Sequence, residues 1–143
     1  MRLRTAARDI PGRFATGAYI LHSGLEKWRG PAEQAQMVHA MAANAYPFLN
    51  EIPAPRFLRI LAAGEVVTGS LLLIPFVPNA FAGFALTGFS GALLGMYLRT
   101  PALRKPDSVW PAPAGIAVSK DVWMLGIGLG LVADAVAGAE SGE

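Results

Sequence analysis

The side chains in this chain that could do chemistry are few, and they interrupt segments that are otherwise apolar. Arg13 and His22 lie in the run 10–25, with Lys27 just beyond it. Glu65 interrupts 60–77, Lys120 and Asp121 open 116–137, and Asp134 lies near the end of that run. A charge inside hydrocarbon costs about 3 kcal/mol on insertion scales, so such residues turn inward and pair. At 1.5 Å per residue, Glu65 lies about 8 Å inside a helix that starts at Ile60. The same depth is reached by His22 and Lys27 at the end of the first run and by Lys120 and Asp121 at the start of the last. Glu65 is therefore expected to pair with Lys120 or Lys27, and Arg13 with Asp134 toward the opposite end. Two chemistries fit the first cluster. It is either a polar pocket for a quinone headgroup, a lipid headgroup or protons, or an ion-pair network that fixes helix order and register.

Other chemistries are excluded by composition. The chain has no cysteine, which removes disulfides, thiol redox chemistry, iron–sulfur clusters and thiolate metal sites. His39 has no partner at ligand spacing and His22 reads as a hydrogen-bonding interior residue, so no metal site is expected. A formal charge of +2 with scattered basic residues gives no nucleic-acid footprint. The run Gly126-Ile127-Gly128-Leu129-Gly130 lies inside an apolar span instead of following a strand, so it reads as helix packing and not as a dinucleotide fingerprint. No cofactor is expected to be bound covalently or by motif.

The elements that position these residues follow from hydropathy. Of 143 residues, 53% are hydrophobic and only 15% charged, against roughly 25% charged in soluble domains. The mean hydropathy is +0.41. The expected architecture is an all-α integral membrane protein, a single domain over 1–143. Its four transmembrane helices run up-down-up-down over roughly 10–27, 57–77, 79–98 and 116–137. Residues 80–98 carry no charge and suffice to cross a hydrocarbon core of about 30 Å. Pro75, Pro78 and Asn79 make a tight turn between the second and third spans. The basic residues Arg2, Arg4 and Arg8 resemble the start of a signal peptide, but no small-residue cleavage site follows. Asp9 ahead of Ile10-Pro11 reads as a helix N-cap, so the first span is expected to be retained.

Between the first two spans, 31–46 is expected to form a short amphipathic helix with Met37, Val38, Met41 and Ala45 on one face. It either lies in the membrane interface or caps the bundle. Pro101, Pro106, Pro111 and Pro113 argue against helix from Arg99 to Ala114, and the tail beyond Asp134 is expected to fray. This topology puts both termini on one side, here the terminal face. Both long connections fall on the other, the loop face, with Trp28, Tyr46, Tyr97, Trp110 and Trp123 at headgroup level. Gly91/Gly95 and Gly126/Gly130 have the small-residue spacing that lets helices approach closely, with Gly64 and Gly69 flanking Glu65.

The order of these residues resembles the DoxX-like family of small bacterial membrane proteins over nearly the whole chain. Arg13, Gly17, Gly24 and Lys27 are similar to the family's opening block, Glu65 with Gly69 and a leucine run to its second, and Lys120-Asp121 to its third. The stretches 30–55 and 99–114 do not match. The resemblance implies a four-helix protein of the bacterial plasma membrane. It points to Arg13, Lys27, Glu65, Lys120 and Asp121 as the family's shared positions. It also implies association with quinol oxidase or thiosulfate:quinone oxidoreductase assemblies.

The function expected on these grounds is a non-catalytic accessory subunit of a respiratory or quinone-linked redox complex. Its partners would be other membrane subunits and the bilayer, with a homo-oligomer also compatible. A stand-alone quinone or lipid binder or small transporter, and a small quinone-linked oxidoreductase, are the alternatives. Arg2, Arg4 and Arg8 favour cytoplasmic termini, although the basic residues of the loop face argue the reverse.

Overall fold

The computed structural model describes residues 6–142. Arg2 and Arg4, which carry much of the orientation argument, lie outside the described residues. The fold is all-helical, and among the described residues the only β feature is an isolated bridge between Arg104 and Pro111. In chain order the helices are α1 (Ile10–Trp28), α2 (Ala32–Ala45), α3 (Ala54–Leu73), α4 (Asn79–Arg99), the single turn α5 (Ile116–Ser119) and α6 (Asp121–Glu140).

Proline punctuates the chain. All eleven prolines lie in a first turn or between helices, where the missing N–H and fixed φ cost least. Pro11 and Pro55 sit in the first turns of α1 and α3, while Pro31, Pro53 and Pro78 immediately precede α2, α3 and α4. Pro75 ends α3 at Leu73, earlier than hydropathy suggests, because it forces Ile74 into an extended conformation (ψ 112°). α6 continues helical to Glu140, where fraying was expected. Its last turns are rich in alanine, the strongest helix former.

Four of the helices are 19 to 21 residues long, about 28 to 32 Å at 1.5 Å per residue. α4 and the 28-residue segment Pro113–Glu140 are apolar enough along their length to cross a membrane. Antiparallel pairs organise the four. α1 packs along α3, and α4 along α6, with narrower contacts joining the two pairs through α3–α4 and α1–α6. Ile20, Leu72, Ala82, Leu86 and Leu131 form a shared core between the pairs, flanked by Val77, Phe89, Met124 and Ile127.

Glycines set the spacing within each pair. A Cβ on Gly69 of α3 would stand 2.7 Å from the Leu21 backbone nitrogen and 2.8 Å from the Gly17 carbonyl oxygen of α1. One on Gly128 of α6 would stand 2.6 Å from Thr87 Oγ1 and 2.9 Å from the Thr87 nitrogen of α4. The packing glycines are therefore Gly17, Gly24 and Gly69 in one pair and Gly83 and Gly128 in the other. Of the expected small residues Gly69 serves this purpose and Gly95 makes room for the Tyr46 hydroxyl, whereas a Cβ on Gly64, Gly91, Gly126 or Gly130 would meet open space. Spacing alone finds a small-residue stripe but not the face of the helix that bears it.

The loop face is built and not loose. α2 lies against α3 and α4, burying Ala35, Ala42, Ala43 and Ala45 over a second core with Met96, Leu93, Phe57 and Val118. Of the face expected to be apolar, Ala45 is buried and Val38 partly so, while Met37 and Met41 point outward, so the contact with α3 and α4 is made by the alanines. Small side chains let α2 sit close on two helices at once. The proline-rich connection folds into a hairpin. Its turn donates Ser108 N–H to the Lys105 carbonyl (3.2 Å), and Asp107 takes a positive φ of 53°. Tyr97 is buried and donates its hydroxyl to the Val109 carbonyl at 2.6 Å, and Tyr46 donates to that of Ala92 at 2.8 Å. The tyrosines are thus ties within the protein, whereas Trp28, Trp110 and Trp123 are exposed (51%, 70% and 67%).

Substitution at the two kinds of glycine should separate cleanly. Gly128→Ala is expected to lower stability by about 1–3 kcal/mol through overpacking. Gly126→Ala is expected to be neutral or slightly stabilising, since alanine is the better helix former. Thermal unfolding of the detergent-solubilised protein measures both.

Candidate functional site: two interior charge clusters

On the terminal face the organising residue is Arg13, 2% exposed. It lies on the stripe of α1 that also buries Thr16, Gly17, Ile20 and Gly24, spaced by three and four residues so that all face α3. The last turn of α3 leaves backbone carbonyls with no helical partner, and Pro75 ensures that nothing continues the helix. The guanidinium supplies what is missing. Nε donates to the Leu72 carbonyl at 2.9 Å, Nη2 to those of Leu71 (2.7 Å) and Ile74 (2.9 Å), and Nη1 to that of Val77 (2.9 Å). Nη1 also donates to Asn79 Oδ1 at 2.8 Å. These bonds match the five N–H donors of an arginine fork.

Asn79, the first residue of α4, extends this network. Its amide nitrogen donates to Asp9 Oδ2 at 2.8 Å and to Asp134 Oδ2 at 3.1 Å. Asp134 in turn pairs with Arg8, whose pKa is raised above its ordinary value first by that hydrogen bond and then by the carboxylate charge. Arg13 and Asp134 were expected to pair directly. Instead, Arg13 is anchored on the α3 terminus and reaches Asp134 through the Asn79 amide, because the backbone carbonyls lie closer. Asp9 makes no side-chain cap bond to α1, since its carboxylate accepts from Asn79. Asn79, Arg8 and Asp9 were missing from the expected cluster. The usable signal was Asn79, a lone amide between Pro78 and an uncharged span.

Toward the loop face, Glu65 of α3 is 4% exposed. Lys27, at the end of the same α1 stripe, donates to both its carboxylate oxygens at 3.1 and 3.2 Å and to Ser23 Oγ at 2.6 Å. Of the two partners considered, Lys27 is the one that reaches Glu65. Lys120 is exposed and makes no ion pair among the described residues. It sits at the α5–α6 junction, about 100° round from Asp121. Asp121 is half-buried and has no ion pair among the described residues.

His22 also lies outside the cluster. Its side chain is 73% exposed, with Nε2 3.4 Å from Glu26 Oε1, because it follows Ile20 by two positions and so lies about 200° round the helix. His39 donates Nε2–H to the Leu49 carbonyl at 2.8 Å and stands edge-on to Phe57. Among the described residues no three His, Asp or Glu side chains converge on a metal position.

These bonds tie helices together. Arg13 and Asn79 bind α1, α3, α4 and α6 at one end, and Lys27–Glu65 clamps α1 to α3 nearer the other. Breaking a buried ion pair leaves an uncompensated charge and costs about 3–5 kcal/mol. Lys27 keeps partial exposure, its side chain at 19%, and can swing outward, whereas Glu65 cannot. Lys27→Met should therefore destabilise more than Glu65→Gln, and the double substitution should recover most of the loss, as a double-mutant cycle of unfolding temperatures would reveal. Arg13→Lys should cost about 3 kcal/mol or more, because an ammonium has three donors and cannot span the α3 terminus. Unfolding in detergent should show that loss, with Asn79 and Asp134 still in place.

Comparison with models of known protein families finds no match, and comparisons with characterised proteins and with solved structures find none either.

Proposed function

We propose that the chain is a four-span membrane bundle acting as a non-catalytic accessory subunit of a respiratory or quinone-linked redox assembly in the bacterial plasma membrane, its termini cytoplasmic. The observation that carries the reading is the engagement of the in-span charges. Arg13, Lys27, Glu65 and Asp134 are each held by protein partners, which suits a strut better than a reaction centre. The same engagement supports four spans. α1 and α3 are less apolar than α4 because of their charged residues, of which Arg13, Lys27 and Glu65 face inward and are compensated, while Glu26, Arg56 and Arg59 lie on the surface toward the loop face. Their outer faces carry exposed Phe14, Tyr19, Leu25, Ile60 and Val67, a surface suited to lipid or to neighbouring helices. The quinone-linked context rests on the resemblance to DoxX-like proteins.

A stand-alone quinone or lipid binder is the second reading. It is favoured by Asp121, half-buried on α6 and without an ion pair among the described residues.

Purification from native membranes in mild detergent, with mass spectrometry and a visible absorption spectrum, tests both. Stoichiometric recovery with haem-, flavin- or copper-bearing subunits is the expected result. A colourless chain that purifies alone with bound quinone, and loses it on Asp121→Asn, would replace the accessory reading with the second.

A further inference from the structure

A concave groove of about 510 Å³ lies outside both charge clusters, on the outer surface where the end of α1 meets the start of α3. Its lining is Trp28, Pro55, Arg56, Arg59, Ile60 and Ala63. Residues 56, 59, 60 and 63 follow helical spacing, so the groove runs along one stripe of α3 from two arginines to an apolar floor. Neither Arg56 nor Arg59 has an ion-pair partner among the described residues. Arg59 instead lies over the Trp28 ring, its guanidinium carbon 5.9 Å from the ring centroid. The arginines are six and nine positions before Glu65, about 9 and 14 Å farther toward the loop face.

We infer that this groove binds one anionic phospholipid, its phosphate between Arg56 and Arg59 and an acyl chain along Ile60 and Ala63. The inference rests on the membrane-spanning reading above. Charge complementarity selects the ligand. Two adjacent guanidinium groups without carboxylates call for a phosphate they can bind by paired N–H donors. The apolar floor beneath them calls for a hydrocarbon chain, which free phosphate lacks. Trp28 suits the boundary between the two, since indole prefers the headgroup level. A zwitterionic lipid brings its own cation to a place already holding two, so the groove discriminates by headgroup charge.

The test is native mass spectrometry of the detergent-purified protein supplied with phosphatidylglycerol or phosphatidylcholine, for wild type and for Arg56→Gln/Arg59→Gln. Lys105→Gln, at the hairpin tip, is the charge control. Both arginines are exposed, and an unchanged unfolding temperature establishes that the double variant is folded. An Ile60→Trp variant fills the floor without adding a charge beside the arginines. The expected result is retention of phosphatidylglycerol over phosphatidylcholine by wild type and by Lys105→Gln. Retention should fall about tenfold or more in the double arginine variant, with a loss also in Ile60→Trp. Equal retention of the two lipids, undiminished retention in the double variant, or displacement of the lipid by inorganic phosphate would overturn the inference. Sedimentation with the membrane fraction separates the two layers of the proposal. A chain found in the membrane without headgroup preference refutes the groove alone, and a chain absent from the membrane refutes the spanning reading itself.

Discussion

A helix that stops inside a protein leaves carbonyl oxygens that water would otherwise satisfy, and α3 stops at such a place. Pro75 prevents continuation, and the turn that follows brings α4 back immediately. Arg13 resolves the conflict by directing its guanidinium into the carbonyls of Leu71, Leu72, Ile74 and Val77 and the side chain of Asn79. The consequence is more than local. An arginine on α1 now fixes where α3 ends, how the α3–α4 turn is shaped and where α4 begins. Through Asn79 it also engages the carboxylates of Asp9 and Asp134. The rest of the bundle inherits its registration from this point.

Given that registration, close packing does the remainder. With Arg13 set against the end of α3, Gly17 and Gly24 fall opposite Gly69 and Ala62, where no Cβ obstructs the approach. Lys27 then arrives at Glu65. The second pair repeats the logic with Gly83, Gly128 and Thr87. In the proposed membrane setting such contacts carry more weight, because burial of apolar surface drives no association within hydrocarbon and backbone proximity and polar ties must supply it. The outer surfaces of α4 and α6 carry exposed apolar residues, among them Phe81, Phe84, Val122 and Leu129, which the proposed membrane setting accommodates.

Much of the fold is legible in the residues. Prolines mark the helix starts, an uncharged stretch marks α4 and the apolar run 122–133 marks α6, and Arg13 and Lys27 identify the inward stripe of α1. The candidate site is less legible. Glu65 offered two cationic partners at similar depth, and hydropathy cannot choose between Lys27 and Lys120, because depth says nothing about rotation. The same ambiguity hid the exposure of His22 and left Gly126, Gly128 and Gly130 equally eligible for packing, of which only Gly128 meets another helix. Asn79 reads in the sequence only as part of a turn, because its place in the charge network depends on four elements meeting.

By itself, then, the sequence determined an all-helical chain, its breaks, its apolar stretches and the inventory of charges within them. Those are consequences of local backbone restriction and of transfer free energy, both properties of short segments. The tertiary structure decided which face of each helix points inward. With that it decided which acid meets which base, which glycines touch, and that Arg13 binds backbone where a carboxylate was expected. Rotation about a helix axis is set by contacts between segments far apart in the chain. A difference of one residue turns a side chain by about 100°, enough to move it from a buried ion pair to the surface.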